Sequence, residues 1–363
     1  MSGTQLQKSS LKSQPLDRGA AFFPNVKNIG YPAAKILMKV LVTGANGFTG
    51  SYLTKHLIDK GYDVRVLVRK NANCQTLEGL PIEYTYGDLA DDSPLDEAFA
   101  DIEIVYHIAA LFRAENVPKQ YFWDVNVKGT QKVLEAAKRS NVKRFVHCST
   151  VGVQGEIKNP PAKEEDPYSP GDYYQESKKD GEVLALNFFK TENLAGTVVR
   201  PVGIYGPGDL RFLKLFKYIN NGKYKTIGSG DVLYHLTFVE DLVKGIALAG
   251  EKEEAIGEIF TIGGEGYLTL NEFVEKIAQI LNRPVSQLKI PVWPVWFAGL
   301  ICEIICKPLG ISPPIYRRRV DFFIKDRAFD ISKAKKLLGY QPQIDVDEGL
   351  RRTACWYQEK ELL

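Results

Sequence analysis

From Met38 onward, apolar and polar positions follow two alternating periods. Lys39–Thr43, Asp63–Val68, Ile82–Tyr86, Ile104–Ala109, Arg144–Cys148 and Gly196–Arg200 are short apolar runs of strand length. Helical spacing occupies Phe48–Lys60, Pro94–Ala100 and Val125–Ser140 between some of them. Short strands alternating with helices predict an α/β fold, a parallel doubly wound sheet covered on both faces. Beyond Pro201 the alternation loosens and glycine and aromatic residues increase. New elements at Leu270–Leu281 and Val292–Cys306 predict a smaller, interleaved C-terminal domain, with Phe238–Ala249 returning to the first. Asp330–Tyr340 starts as a capped helix and closes with a Lys-rich turn and Gly339.

The first strand runs into Thr43-Gly44-Ala45-Asn46-Gly47-Phe48-Thr49-Gly50, where the glycines are spaced Gly-x-x-Gly-x-x-Gly. A strand turning sharply into a helix presents free backbone N–H groups and the positive end of the helix dipole, an arrangement that binds a pyrophosphate. Glycine permits close approach and positive φ. Glycine-rich turns also exist simply to turn the chain. The position after a strand and before a helix points to a dinucleotide site.

A second constellation is Tyr174-Gln175-Glu176-Ser177-Lys178. On a helix, i and i+4 share a face, so phenol and ammonium project together. A fixed positive charge is expected to lower the phenol pKa from about 10, fitting Tyr174 to exchange a proton with a substrate oxygen. Tyr173 has only Ser177 at that spacing. The bland reading is a surface helix that happens to place Tyr and Lys so. A third element, Phe145 to Val153, runs a strand into Ser149-Thr150, which places hydroxyls where open α/β sheets bind ligands. Its bland reading is an N-cap.

Composition narrows the field. The chain has 363 residues and a net charge of +3, with no Lys/Arg cluster interleaved with aromatics, which argues against nucleic acid. Its five scattered cysteines suit reduced thiols in a cytoplasmic setting and complete no metal site. Residues 1–37 are polar, with one acidic residue, Asp17. They read as a disordered tail or an early start, Met38 being a natural start before the first strand; a targeting peptide is the alternative. The segment 290–309 carries Trp293, Trp296, Phe297, Leu300, Ile301, Ile304 and Ile305 among prolines and Glu303. It is short for a membrane span. A buried helix of the second domain is expected, with a substrate lid or a membrane-surface contact as alternatives.

With these motifs in order, the chain resembles the extended short-chain dehydrogenase/reductase family from Met38 to about Glu359. Further matches are Gly87-Asp88-Leu89, His107-Ile108-Ala109-Ala110, Asn126-Val127-Lys128-Gly129-Thr130, and Arg200-Pro201 leading to Tyr205-Gly206-Pro207-Gly208-Asp209. The resemblance implies a Rossmann-type dinucleotide-binding region over 38–200, with 236–262 returning to it. Residues 201–235 and 263–363 would form mainly the substrate domain. It implies Tyr174 as catalytic acid/base, Lys178 as the group that tunes it and holds the nicotinamide ribose, and Thr150 against the substrate oxygen, with Ser149 the neighbour easily mistaken for it. Asn126 would support a proton relay or make a loop-to-helix hydrogen bond. Gly44, Asn46, Gly47, Phe48, Thr49 and Gly50 would cradle the cofactor, Asp88 and Leu89 would meet the adenine, and Ala109 would line the channel.

Arg69 and Lys70 stand where an acidic residue would bond the ribose 2′-hydroxyl, so NADP is expected ahead of NAD. Val151-Gly152 replaces the Asp-Glu pair of the family's dehydratases, which argues against water elimination. Val202-Gly203 lacks the asparagine common in sugar-nucleotide enzymes. Arg200 to Asp209, His235 to Asp241 and Phe329-Asp330 look closer to a branch of dihydroflavonol-reductase-like and 3β-hydroxysteroid-dehydrogenase-like enzymes. The expected activity is hydride transfer between nicotinamide and a secondary alcohol or ketone of a small-molecule substrate. A sugar-nucleotide epimerase is the alternative. A redox-sensing binding protein is disfavoured because Tyr174 and Lys178 are both present. Dimers are usual in the family, so a homodimer is implied.

Overall fold

The computed structural model describes residues 38–363 apart from 92, 113–116, 287 and 307–319. The expectations for residues 1–37, and the end of the 290–309 segment, lie outside the described residues.

Period-two alternation builds the sheet. In β1 (Lys39–Thr43), Val40 and Val42 enter one apolar layer while Leu41 enters the other. The same division holds in β4 (Ile104–His107), with Ile104 and Tyr106 on one side and Val105 on the other. With β2 (Asp63–Val68), β3 (Glu83–Tyr86), β5 (Arg144–Cys148), β6 (Gly196–Pro201) and a last strand, Ile259–Ile262, they form a seven-stranded sheet. Every pairing is parallel, and the order is β3-β2-β1-β4-β5-β6 followed by Ile259–Ile262. This is the doubly wound α/β fold expected. Its strand order reverses between β1 and β4, which opens a crevice at their carboxyl ends.

One face is covered by α1 (Phe48–Asp59) through Leu53 and Leu57, and by Val239–Glu251 through Leu242, Val243 and Ile246. Ile331, Ala334, Leu338 and Tyr340 join that layer. The other face takes Val133 and Leu134 of the helix Gly129–Arg139, and Ala185 and Phe189 of the helix Tyr173–Thr191. A third cluster combines Tyr205, Phe216, Tyr234, Phe273 and Ile277 with Leu350 and Tyr357 of the C-terminal helix Val346–Glu359. Within it the helix Leu270–Ile280 starts at a capping box formed by Thr269 and Glu272.

Boundaries depart from the sequence pattern where chemistry intervenes. β4 stops at His107, because Ile108 and Ala109 bend over the glycine turn. The helix predicted over Val125–Ser140 starts earlier, at Lys119, passes through a π-turn at Asp124–Lys128 and is α-helical again from Gly129. There the Asn126 carbonyl lies so close to Gly181 that a Cβ on Gly181 would meet it at 2.4 Å.

The buried helix expected within 290–309 is not what forms. The helix Val292–Cys306 leaves Trp293 74% and Ile304 63% exposed, with Trp296, Phe297, Ile301 and Ile305 also exposed. Its apolar residues run all round the cylinder, so packing one side against the protein leaves an apolar side outward. No helix among the described residues is long and apolar enough to cross a membrane.

Candidate active site

The glycine turn packs backbone against backbone. Gly44 has φ of +71°, and a Cβ there would lie 2.7 Å from the Ala109 backbone. A Cβ on Gly50 would come within 2.1 Å of the Gly44 carbonyl oxygen. Only glycine fits either position. Gly47 caps α1 without a side-chain hydrogen bond, and the first helical turn holds no acidic residue. The amide groups of that turn are thereby left for an external anion, so the turn fits a dinucleotide pyrophosphate.

The other predicted cofactor residues lie along the same rim. Asn46 Nδ2 donates to the Asn73 carbonyl at 3.1 Å, and the Thr76 hydroxyl donates to the Asn46 carbonyl, bracing the loop after β2. Arg69 stands exposed where that loop begins. Asp88 and Leu89 follow β3, and the Asp88 carboxylate accepts from the Ala90 amide at 3.0 Å. Thr49 lies half-buried in the first turn of α1. Phe48 stacks edge-on against Tyr52 at 5.7 Å, and Tyr52 donates to the Pro207 carbonyl at 2.9 Å. The loop after β6 is thus tied to the glycine turn.

At the reacting end, the helix Tyr173–Thr191 is capped by Asp172, whose side chain accepts from the Gln175 amide. Tyr174 sits in its first turn and Lys178 one turn on. Lys178 is buried, and its Nζ donates to the Cys148 carbonyl, at the end of β5, at 2.7 Å. Thr150 makes the cap of its bland reading and stands beside Tyr174. Its Oγ1 accepts from the Gly152 amide at 3.1 Å as a cap, and its side chain lies near enough to the Tyr174 phenol to favour the phenolate slightly. Ser149 is buried, with no hydrogen-bond partner for its hydroxyl among the described residues. Asn126 Oδ1 accepts from the Leu111 amide at 2.7 Å, and its Nδ2 donates to the Ser177 hydroxyl at 2.9 Å. Its side chain therefore makes the loop-to-helix connection.

The electrostatics correct one expectation. The Tyr174 phenol is pushed up from its ordinary value, first by burial and then by Cys148 and Asp172. Arg211 and the Thr150 hydroxyl oppose that rise, and they do not overcome it. Lys178, predicted to lower the phenol, is instead committed to the Cys148 carbonyl, and burial lowers its own pKa. Taking a phenolate out of water costs more than the available partners return.

Several neighbours of these residues were not singled out from sequence. The Phe112 ring meets Tyr174 edge-on at 4.9 Å. Arg211 donates through Nε to Asp209 Oδ1 at 2.7 Å, while its buried Nη2 has no hydrogen-bond partner among the described residues. Both are brought in by loops distant in sequence from Tyr174, and no local spacing announces them. His107, quoted only as part of a motif, forms a relay. The Thr130 hydroxyl donates to the Asn126 carbonyl at 2.8 Å, so it accepts from His107 Nε2 at 3.1 Å. His107 Nδ1 then accepts from the Thr43 hydroxyl at 2.8 Å, and Thr43 Oγ1 in turn accepts from the Ala109 amide. Burial pulls the His107 pKa down to about 3, with Lys178 adding to the shift, so one neutral tautomer links the channel at Ala109 to the turn at Asn126.

A Rossmann-type sheet with this turn and this tyrosine–lysine–threonine grouping defines a nicotinamide-dependent oxidoreductase of the extended short-chain type. The chain belongs to the NAD dependent epimerase/dehydratase family, whose model matches residues 40–263. It is 30% identical over 335 residues to the mouse (Mus musculus) protein "Sterol-4-alpha-carboxylate 3-dehydrogenase, decarboxylating", covering 87% of this chain and 90% of that protein. It is 29% identical to the Escherichia coli O157:H7 N-acetyl-alpha-D-glucosaminyl-diphospho-ditrans,octacis-undecaprenol 4-epimerase, covering 86% of this chain and 93% of that one. Among solved structures it resembles a dTDP-glucose 4,6-dehydratase from Streptomyces venezuelae with NAD bound. That match has a TM-score of 0.71 and 26% identity, covering 89% of this chain and 98% of that one. The cofactor is accordingly a nicotinamide adenine dinucleotide.

Proposed function

We propose that this chain interconverts a secondary alcohol and a ketone on an apolar small molecule, with Tyr174 exchanging the proton of the reacting oxygen. The convergence of Tyr174, Thr150 and Lys178 at the carboxyl end of β5, beside the crevice, is the observation that carries this reading. A bound nicotinamide supplies or accepts the hydride. In ketone reduction the half-buried Tyr174 hydroxyl retains its proton at neutral pH and donates it to the substrate oxygen. The Thr150 hydroxyl polarises the same oxygen. Lys178, anchored on Cys148, holds the nicotinamide ribose. Asn126 positions this group by joining Leu111 to Ser177. Arg69 favours NADP through a 2′-phosphate.

Two features bear on the substrate. Phe112 supplies an apolar wall at Tyr174, and Arg211 brings a cation to the same place with one donor unspent. Together they suit an apolar alcohol carrying an anionic substituent near the reacting carbon, as the mouse relative's name describes for that protein. Val151-Gly152 offers no acid–base pair for water elimination. The test is a screen of hydroxysteroids and cyclic 3-hydroxy acids, each acid paired with its methyl ester, against NADP and NAD at 340 nm. Turnover of an acid ahead of its ester supports the reading. Epimerisation of UDP- or dTDP-sugars without net cofactor reduction would replace it.

A further inference from the structure

The helix Val292–Cys306 has two unlike sides. Val292, Val295, Gly299, Cys302 and Cys306 fall on one side at helical spacing and are buried or half-buried. Trp293, Phe297, Ile301, Ile304 and Ile305 fall on the opposite half and are all exposed, as is Trp296 at its edge. With about 200 Å² for a large apolar side chain, the exposed share comes to roughly 600 Å², the upper end of what a monomer leaves in one patch. Fifteen residues make a helix about 22 Å long, shorter than a bilayer core of about 30 Å. Such a helix can lie in an interface but cannot cross it.

Charge identifies the occupant. The strand Lys289–Ile290 leads directly into this helix and pairs with Thr226–Ile227. Gly228, next to that strand, is close enough to Val292 that a Cβ on it would meet the Val292 side chain at 3.1 Å. From Leu210 to Gly230 the chain carries Arg211, Lys214, Lys217, Lys223 and Lys225 and no carboxylate, the first being Asp231. Lys223, Lys225 and Lys289 are exposed beside the start of the apolar helix. Tryptophan and phenylalanine flanked by lysines match the boundary between acyl chains and anionic headgroups.

We propose that the outward face of Val292–Cys306, with Lys223, Lys225 and Lys289 beside it, docks this protein on an anionic lipid surface. The inference stands apart from the catalytic reading and fails or holds separately from it. The test is co-sedimentation of the full chain with vesicles of phosphatidylcholine alone, or with 30 mol% phosphatidylserine (about that fraction gives an anionic surface). The wild type is expected to pellet with the mixed vesicles. Each lysine contributes about fivefold in partitioning, so Lys223→Glu/Lys225→Glu loses at least about tenfold on mixed vesicles. Phe297→Glu/Ile301→Glu/Ile304→Glu loses binding to both, while cofactor fluorescence titration and thermal unfolding stay at wild-type values. A wild type that leaves both vesicle types in the supernatant overturns the proposal. So does a dimer, seen by light scattering, that the triple variant dissociates while vesicle binding is unchanged. The lysine variant lies outside the helix, so a triple variant that fails to fold does not shield the proposal.

Discussion

The ammonium of Lys178 donates to the backbone carbonyl of Cys148 at 2.7 Å and so pins the helix carrying Tyr174 to the end of the strand preceding Thr150. One buried bond therefore sets the distance between the two groups proposed to share the substrate oxygen. Lys178→Met removes both the bond and the charge. Turnover is expected to fall at least about 100-fold, and the orphaned Cys148 carbonyl costs ~1–3 kcal/mol of stability. Steady-state kinetics and urea unfolding on the same variant check this. A variant that loses stability but keeps its kcat would make Lys178 structural only.

The pH dependence follows from the direction of the Tyr174 shift. Burial keeps the phenol protonated beyond its ordinary range, so the form that donates to a ketone persists through neutral pH and above. Reduction is expected to be flat between about pH 6 and 9, whereas oxidation, which needs the phenolate, rises about tenfold per pH unit over that span. Initial rates in both directions across that range test this. An oxidation rate that levels off near neutrality would mean that the bound state lowers the phenol after all.

All four histidines, His56, His107, His147 and His235, are held below their ordinary pKa, burial being the first cause in each. The unfolded chain titrates near pH 6.5, so below that it binds protons that the native state refuses. Stability is then complete above pH 6.5 and declines as pH falls from there toward 3. His107 and His147 should each cost about 2 kcal/mol between pH 7.5 and 5.0. Neither ring nitrogen of His147 has a hydrogen-bond partner among the described residues, so His147→Leu should recover its share at pH 5.0. Urea midpoints at the two pH values measure this. An unchanged midpoint in the wild type would contradict the buried neutral assignment.

The proposed preference for NADP rests on Arg69, exposed beyond β2 with no acidic residue beside it in the 69–76 loop. Arg69→Asp is expected to weaken NADPH at least about tenfold, as loss of a charge-assisted phosphate contact should, while NADH binding holds or improves. Fluorescence titration with each nucleotide decides the matter. An equal loss for both would remove Arg69 from the 2′ position.

Much of the candidate site could be proposed from sequence because its signals are local. The turn from Gly44 to Gly50 and the pair Tyr174–Lys178 depend on spacings within one turn or one helix, and period-two alternation gave the sheet. Phe112 and Arg211 were not legible, since the fold alone brings them to Tyr174 from separate loops. The role of Lys178 was misjudged because sequence gives its direction from the helix, not the competing Cys148 carbonyl or the degree of burial. The helix Val292–Cys306 misled for a different reason. A segment apolar on every side carries no polar stripe to mark which side faces out.

The central claim, that Tyr174 exchanges the substrate proton in a nicotinamide-dependent reaction, is tested most directly by Tyr174→Phe. This substitution deletes one hydroxyl and keeps the ring packed against Phe112. Turnover of the best substrate from the screen should fall by ~10²–10⁴-fold, while the Kd for the reduced cofactor, read by fluorescence, stays within about twofold, since a twofold change is under 0.5 kcal/mol. Turnover within a few fold of wild type, with the cofactor still bound, would contradict the account.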